Sequence, residues 1–184
     1  MPRCFEGRTV CVMASGPSLK REAVSAVHAA GIPTMAINST FRLYPQAWGL
    51  YGADREWWLH PENKDAMEFA GLKISVSKVE GVKQIRETGM TGFDPDPGCI
   101  RLGGNSGYQA VHLMAHTGAA RILLLGFDMS GPGHCHADHP APLRTTPVSV
   151  YDRWIQRFET LAIELDRVGV EVVNCNLESA LKCF

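Results

Sequence analysis

Short apolar runs alternate along this chain with longer stretches in which apolar residues recur every three or four positions. Runs that fit β-strands lie at 9–14, 33–38, 47–52, 72–77, 121–126 and 170–174, and turn residues bound most of them. Helical spacing covers most of the intervals, at 20–30, 55–69, 106–117 and 148–168. Strands that alternate with amphipathic helices predict a mostly parallel sheet with helices on both faces.

We therefore predict an α/β fold in which residues 1–184 form a single Rossmann-like, three-layer domain around a mostly parallel sheet of about six strands. A chain of 184 residues with 45% hydrophobic content can bury one substantial core. Two segments, 78–104 and 130–148, fit neither pattern and are predicted to be long loops. Loops of this length are usually functional or mobile, so each is a candidate substrate lid or a surface excursion.

The first predicted strand ends in a small, turn-forming sequence, Ser15-Gly16-Pro17-Ser18, before the first helical pattern. Gly16 permits close backbone approach, and Pro17 suits a first helical position because an N–H group is not needed there. Free amides and the positive end of the helix dipole would then favour a phosphate or a carboxylate. A purely structural turn fits the same residues.

Polar residues follow five of the predicted strands, at Ser15, Asn38, Asp54, Asp128 and Asn174. The carboxyl ends of parallel strands meet at one edge of a sheet, and open α/β sheets bind ligands there. The set therefore predicts a polar ligand pocket. Asp128 could contact Mg²⁺ or a ribose, or it could cap the loop that follows it.

A second glycine-rich entry into a helix has the sequence Gly103-Gly104-Asn105-Ser106-Gly107. Asn105 or Ser106 can cap the helix, and the glycines would let a ligand lie against the backbone. The sequence is neither GxGxxG nor GxxxxGKS/T, so it predicts neither a dinucleotide fingerprint nor a P-loop. Gly104, Asn105, Ser106 and Gly107 join the predicted nucleotide site, although any buried helix can begin in this way.

Reactive side chains concentrate in the segment 133–140, which contains His134, Cys135, His136, Asp138 and His139. These side chains could contact a divalent metal, or one histidine could transfer protons near neutral pH. They could also be solvated loop residues. A structural zinc site is disfavoured because no second Cys/His pair lies at finger-like spacing.

Charge and composition narrow the possible partners. The formal net charge of −1 favours neither general nucleic-acid binding nor anchoring on anionic membranes. No apolar run approaches the length of a membrane span, and the first residues lack the apolar core of a signal peptide. Six cysteines form no CxxC pair and are expected to be mostly small buried residues in a reducing compartment. We therefore expect cytoplasmic residence and a small-molecule partner, and a homo-oligomer is left open.

Read together, these segments resemble a known superfamily in their order along the chain. The matching motifs are Ala14-Ser15-Gly16-Pro17-Ser18-Leu19, Ala36-Ile37-Asn38, Asn105-Ser106-Gly107-Tyr108-Gln109-Ala110, Leu125-Gly126-Phe127-Asp128, a later loop histidine and the closing segment 172–181. The chain resembles bacterial sialyltransferases of glycosyltransferase family 42 and archaeal 6-hydroxymethylpterin diphosphokinase-like proteins. Short phage and prophage proteins with a similar His-x-Asp-His-Pro loop are similar in length.

The resemblance implies roles for particular residues. In the sialyltransferases, the positions that match Ser15, Asn38, Asp54 and Ser106-Gly107 surround a cytidine nucleotide, and a loop histidine is the general base. That role would fall on His139 or His136, with Asp138 between them. The chain departs from the family at Ser15, where the family has asparagine, and at Ser130, where a tyrosine would steady the leaving phosphate.

Three functions follow from these comparisons of motifs. The first is a nucleotide-dependent transferase, a small sialyltransferase-like glycosyltransferase that moves a sugar from a nucleotide-activated donor to an acceptor hydroxyl. The second is a Mg²⁺-dependent diphosphokinase of the pterin type that uses ATP, with Asp128 near the metal. The third is a non-catalytic nucleotide-binding or scaffold protein of phage origin, which would act in the cytoplasm of a bacterial host.

Overall fold

The fold is a parallel α/β sheet, seen in a computed structural model that describes residues 1–131, 133–135 and 147–184. Over these residues, seven strands form one sheet in the order β5-β4-β3-β2-β1-β8-β9, and every neighbouring pair is parallel. Strands β6 and β7 pair separately, also in parallel. The strands are β1 (Thr9–Met13), β2 (Thr34–Ile37), β3 (Gly49–Tyr51), β4 (Leu72–Ser75), β5 (Lys83–Gln84), β6 (Arg86–Glu87), β7 (Cys99–Ile100), β8 (Arg121–Leu125) and β9 (Glu171–Asn174).

The order of the strands creates a topological switch point between β1 and β8. Strand β1 pairs with β2 on one side, where Cys11 is opposite Thr34, and with β8 on the other, where Thr9 is opposite Arg121. The chain leaves β1 towards β2 and leaves β8 towards β9, so the two connections diverge. In open α/β sheets, a crevice for ligands forms beyond the carboxyl ends of such a strand pair.

Helices cover both faces of the sheet, as the alternation of side chains along β1 requires. Val10 and Val12 pack in the cluster that includes the inward face of α3 and α4, whereas Cys11 and Met13 pack on the opposite face with α1 and α2. The predicted three-layer α/β fold is therefore confirmed. The helices are α1 (Arg21–Ala29), α2 (Arg55–Leu59), α3 (Ser106–His116) and α4 (Tyr151–Arg167), and 3₁₀ turns span Asn38–Arg42, Pro61–Glu68 and Val148–Val150.

The helix predicted over 55–69 is interrupted. It ends at Leu59, and a 3₁₀ turn continues from Pro61 because proline lacks an N–H group and disfavours helical geometry in the residue before it. Trp57 and Trp58 are 3% and 1% exposed, and both belong to the core beneath this turn.

The segment 78–104 is anchored to α3 and α4 rather than free at the surface. It contributes β5, β6 and β7, and Phe93 stacks on His112 with ring centroids 4.5 Å apart. The Tyr108 hydroxyl donates to the carbonyl of Gly92 at 2.7 Å. Residues 78–101 do not line the cavity described below, whereas Gly104 at the end of the segment does.

Two expectations from composition can be compared with the described residues. None of the helices there is long and apolar enough to cross a bilayer. All six cysteines are free. Two are buried (Cys11 and Cys99), two are partly buried (Cys135 and Cys183) and two are exposed (Cys4 and Cys175). The prediction that most cysteines are buried is therefore wrong.

Candidate functional site

A cavity of about 250 Å³ lies at the carboxyl ends of the central strands. All residues of the predicted nucleotide site except Ser18 line it, although they come from five separate segments. Small-molecule sites commonly begin at about this size. The predicted residues on its wall are Ser15, Gly16, Pro17, Asn38, Asp54, Gly104, Asn105, Ser106, Gly107 and Asp128.

The turn after β1 is closed by hydrogen bonds within the protein. The amide of Gly16 donates to the carbonyl of Gly126 at 2.9 Å, and Ser18 donates to Asp128 Oδ2 through its amide at 3.3 Å and its hydroxyl at 2.8 Å. Helix α1 begins only at Arg21. The prediction that Pro17 occupies a first helical position with free amides beside it is therefore wrong, because a protein carboxylate already accepts from this turn.

Asp128 binds the ends of three segments together. Its Oδ1 accepts from Asn176 Nδ2 at 2.9 Å, and its side chain is buried against Gly16. A Cβ atom on Gly16 would lie 1.9 Å from Asp128 Oδ2 and 2.5 Å from the Gly126 carbonyl oxygen. Glycine is thus required at position 16 by contact with the protein itself. A magnesium or ribose contact at Asp128 stays a prediction.

The turn before α3 is open to the cavity. The Oδ1 atom of Asn105 accepts from the amide of Tyr108 at 2.8 Å, so Asn105 is the predicted N-cap. Within the described chain, no group accepts from the amides of Ser106 and Gly107, which are the first two of the helix. The Nδ2 atom of Asn105 is buried and also has no partner there. Three donors at the positive end of a helix dipole, one of them the buried Asn105 Nδ2, therefore have no acceptor among the described residues.

Asn38 supplies an acceptor to the same cavity. It follows β2 with φ at +49°, a left-handed conformation that asparagine tolerates better than most residues. Its Oδ1 atom is buried and has no partner among the described residues. Met129, which also lines the cavity, has φ at +49° as well. Strained backbone and unpaired polar atoms at one place are typical of functional sites.

Asp54 is at the rim of the cavity, where it precedes α2. Desolvation by the surrounding protein raises the pKa of its carboxyl above the usual value, and the negative charge of Glu56 raises it further. The side chain does not cap α2 by a hydrogen bond. Asp54 is therefore a carboxyl on the cavity wall that does not serve as the cap of its helix.

Part of the histidine segment reaches the cavity. His134 Nδ1 is 3.1 Å from the Ser15 hydroxyl, and the amide of Cys135 donates to the Ser15 carbonyl at 2.7 Å. His134 and Gly133 line the cavity wall. The predicted catalytic residues His136, Asp138 and His139 lie outside the described residues. His134 was among the reactive residues singled out above but not among the predicted catalytic ones.

Two cavity residues, Tyr151 and Trp154, were not predicted for the site. Both come from the first turn of α4, and their ring centroids are 5.7 Å apart. Trp154 fitted the apolar stripe of its helix and so read as a core residue. Trp57 and Trp58 are in the core, and Trp58 Nε1 donates to the Gly52 carbonyl at 2.9 Å.

No family model, curated protein or solved structure matches the chain. The resemblance to sialyltransferases and diphosphokinase-like proteins therefore stays a prediction that its motifs carry. No three His, Cys, Asp or Glu side chains of residues 1–131, 133–135 and 147–184 come together in a metal-binding group. The site is thus defined by its own chemistry, which is three donors, one buried acceptor, carboxylates and two aromatic rings around one cavity.

Proposed function

We propose that this chain is a nucleotide-dependent transferase that binds a nucleotide-activated sugar in the switch-point cavity. The observation that carries the proposal is that two residues of the cavity wall each have a buried polar atom with no partner among the described residues: Asn38 Oδ1 is an acceptor and Asn105 Nδ2 is a donor. Burying an unpaired polar group costs about 1–3 kcal/mol, so a ligand that pairs both groups recovers free energy. Such a ligand needs both donors and acceptors, as a nucleotide has.

The electrostatics of the α3 end favour an anionic group on that ligand. The amides of Ser106 and Gly107 point from the positive end of an eleven-residue helix, beside Asn105 Nδ2. A phosphate there would accept from several donors at once. The same donors would stabilise the charge that develops on the phosphate when a sugar leaves it, which is how such sites accelerate group transfer.

Transfer to an acceptor hydroxyl also needs a base. We assign this role to a histidine of the segment 133–140, with His139 and His136 as the sequence candidates. Support comes from His134 of this segment, which lines the cavity and has Nδ1 at 3.1 Å from the Ser15 hydroxyl. A neutral imidazole beside the cavity is suited to accept the proton of the acceptor hydroxyl near neutral pH. A nucleotide-sugar substrate is consistent with the cytoplasmic residence that we expect for this chain.

A second candidate function is Mg²⁺-dependent diphosphoryl transfer from ATP. It is favoured by the carboxylates of Asp54 and Asp128, which both line the cavity. Magnesium is commonly held by one or two carboxylates together with the phosphates of the substrate. In this case turnover would depend strictly on Mg²⁺ and would consume ATP without sugar transfer.

A ligand panel tests the proposal. CMP, CDP, UDP, ATP and GTP are each added, with and without Mg²⁺, and the unfolding temperature is measured. A ligand at a hundred times its Kd adds about 2.7 kcal/mol of stability, or a shift of about 5–10 °C for a chain of this size. Release of free nucleotide from the matching nucleotide sugar is then followed over time. A nucleotide that binds but stays chemically unchanged in all incubations would support the non-catalytic scaffold function instead.

Matched variants separate the two parts of the proposal. In Asn105→Asp the helix cap is kept, but the Nδ2 donor is replaced by a carboxylate oxygen, so nucleotide affinity should fall at least about tenfold. In His139→Ala, turnover should be lost and nucleotide affinity largely kept. His134→Ala, a second histidine variant in the same segment, is measured beside it for comparison. If His139→Ala retains full turnover, His139 is not the base.

A further inference from the structure

The aromatic pair Tyr151 and Trp154 forms one side of the cavity that the transfer chemistry does not use. The two residues are three positions apart in α4 and so share one face of the helix. Their ring planes are inclined by 31° and their centroids are 5.7 Å apart, so the two rings form one aromatic surface. Both side chains are partly buried and both line the cavity.

The turn before α3 is built to receive this surface. Gly104 has φ at +81°, and a Cβ atom there would lie 3.1 Å from Trp154 Nε1 and 2.3 Å from Arg157 Nη1. Arg157 Nη1 also donates to the Gly103 carbonyl at 3.0 Å, which joins α4 to the turn. The glycine thus lets the indole lie against the backbone that leads directly to Asn105 and the amides of α3. The aromatic surface and the anion-favouring donors are therefore neighbours.

Trp154 differs from the other three tryptophans. Trp57 and Trp58 are in the core, and Trp48 packs edge-on against Phe5 with ring centroids 4.9 Å apart. These three do not line the cavity. A large aromatic side chain that is kept partly exposed next to polar donors is what recognition of a planar ring requires, because stacking buries apolar area and leaves the ring edges free for hydrogen bonds.

We propose that Tyr151 and Trp154 form a stacking platform for the base of the nucleotide, with the phosphate directed to the α3 amides. This inference rests on the proposed function and deepens it, since it fixes the orientation of the ligand in the cavity. A planar heterocycle stacks face-on or offset on such a surface in a way that tolerates different bases. The platform thus recognises the class of ligand, and other contacts distinguish one base from another.

The test uses calorimetry and tryptophan fluorescence with CMP, cytidine, ribose 5-phosphate and a free hexose as probes, together with ATP. In Trp154→Leu, affinity for CMP or ATP should fall about tenfold or more, and affinity for ribose 5-phosphate should stay within about twofold. Trp154→Phe keeps a stacking ring and should retain most of the affinity. Nucleotide should change the fluorescence of the wild type and of the control Trp48→Phe, but not that of Trp154→Phe.

The outcomes distinguish this inference from the proposed function. If nucleotides bind but Trp154→Leu weakens ribose 5-phosphate as much as CMP, the platform is overturned and nucleotide binding stands. If the free hexose alone changes Trp154 fluorescence and cytidine does not, the surface binds the sugar and the platform is overturned. If no nucleotide binds the wild type, both proposals fail. An unfolding temperature of Trp154→Leu near that of the wild type excludes loss of folding as the cause.

Discussion

Two glycine-containing turns enter the same cavity, and they differ in what their amides do. In the turn at Ser15–Ser18, the amides of Gly16 and Ser18 donate within the protein, to Gly126 and Asp128. The turn at Gly103–Gly107 presents donors that have no acceptor within the described chain. The first turn therefore holds strands β1 and β8 together, and the second is the better place for a ligand. Variants in the first should reduce stability, and variants in the second should reduce binding.

The largest effect is expected for Gly16→Ala. The new Cβ would meet the backbone oxygen of Gly126 as well as Asp128, so the turn has to move. Overpacking of this kind costs about 1–3 kcal/mol, and we expect about 3 kcal/mol because a backbone atom cannot easily yield. Urea unfolding measures the loss. The control is Gly7→Ala, where φ is +68° and an added Cβ would meet no atom within 4 Å beyond its chain neighbours. This control should cost about 1 kcal/mol. Equal losses for the two variants would show that the first turn is not tightly closed.

An acid-dependent loss of stability should arise at His112, in the interior of α3. Burial, with His116 as a second cause, lowers the pKa of His112 to about 3. Below about pH 6.5, His112 takes up a proton in the unfolded chain but not in the folded chain. The free energy of unfolding is therefore not reduced by this group above about pH 6.5, and it decreases as the pH falls from there towards about 3. We expect a loss of about 2 kcal/mol between pH 7.5 and pH 5. Unfolding curves at several pH values measure it.

The control for this pH dependence is His112→Gln, which cannot take up the proton. Its stability should change less over the same pH interval than that of the wild type. An unchanged slope would mean that other groups, such as His116, dominate the acid response. Nucleotide binding at the N-terminus of α3 should decrease only in proportion to the loss of folded protein.

Asn105 allows the cap and the ligand donor to be separated. Asn105→Ala removes the acceptor for the Tyr108 amide and should cost about 1 kcal/mol of stability. Asn105→Asp keeps that acceptor and should change stability by less than about 0.5 kcal/mol, since a carboxylate is favourable at a helix N-terminus. Both should weaken nucleotide binding. A wild-type affinity in Asn105→Asp would remove the Nδ2 donor from the binding site.

A small change in stability is expected for Asn38→Gly, and its sign is informative. Glycine relieves the left-handed conformation at φ +49° and removes a buried oxygen that has no partner among residues the structure describes. We expect a gain of about 0.5 kcal/mol, together with weaker nucleotide binding. Thermal unfolding and calorimetry measure the two. A clear loss of stability would instead indicate that the Asn38 side chain has a structural role.

The fold was predictable because its main strands are continuous apolar runs with turn residues at their ends. Strand β5 was missed since Lys83–Gln84 is two exposed polar residues at the sheet edge, which carry no hydrophobic signal. The helical position of Pro17 and the free amides beside it were predicted wrongly because the contact that occupies this turn comes from Asp128, 110 residues from Ser18 in the sequence. Hydrophobic periodicity describes residues within one helix or strand, and it gives no information about contacts from a distant segment of the chain.

The polar part of the site was predictable for a related reason, and its aromatic part was not. Asn38, Asn105 and Asp128 directly follow strands or begin a helix, and the topology of a parallel sheet brings such positions together. Tyr151 and Trp154 come from within a helix, where a large apolar residue normally packs in the core. Their exposure to the cavity depends on Gly104, and no local pattern in α4 records that contact.

The sheet order also sets when the site can exist during synthesis on the ribosome. Strand β1 is made first but lies in the middle of the sheet, and its partner β8 emerges more than a hundred residues later. Asn176, which completes the contacts of Asp128, emerges later still. In a nascent chain that ends before these segments, one edge of β1 would lack its partner strand and the cavity would not be assembled. A ligand could therefore not stabilise that chain. Synthesis must therefore pass Asn176 before a ligand can stabilise this fold.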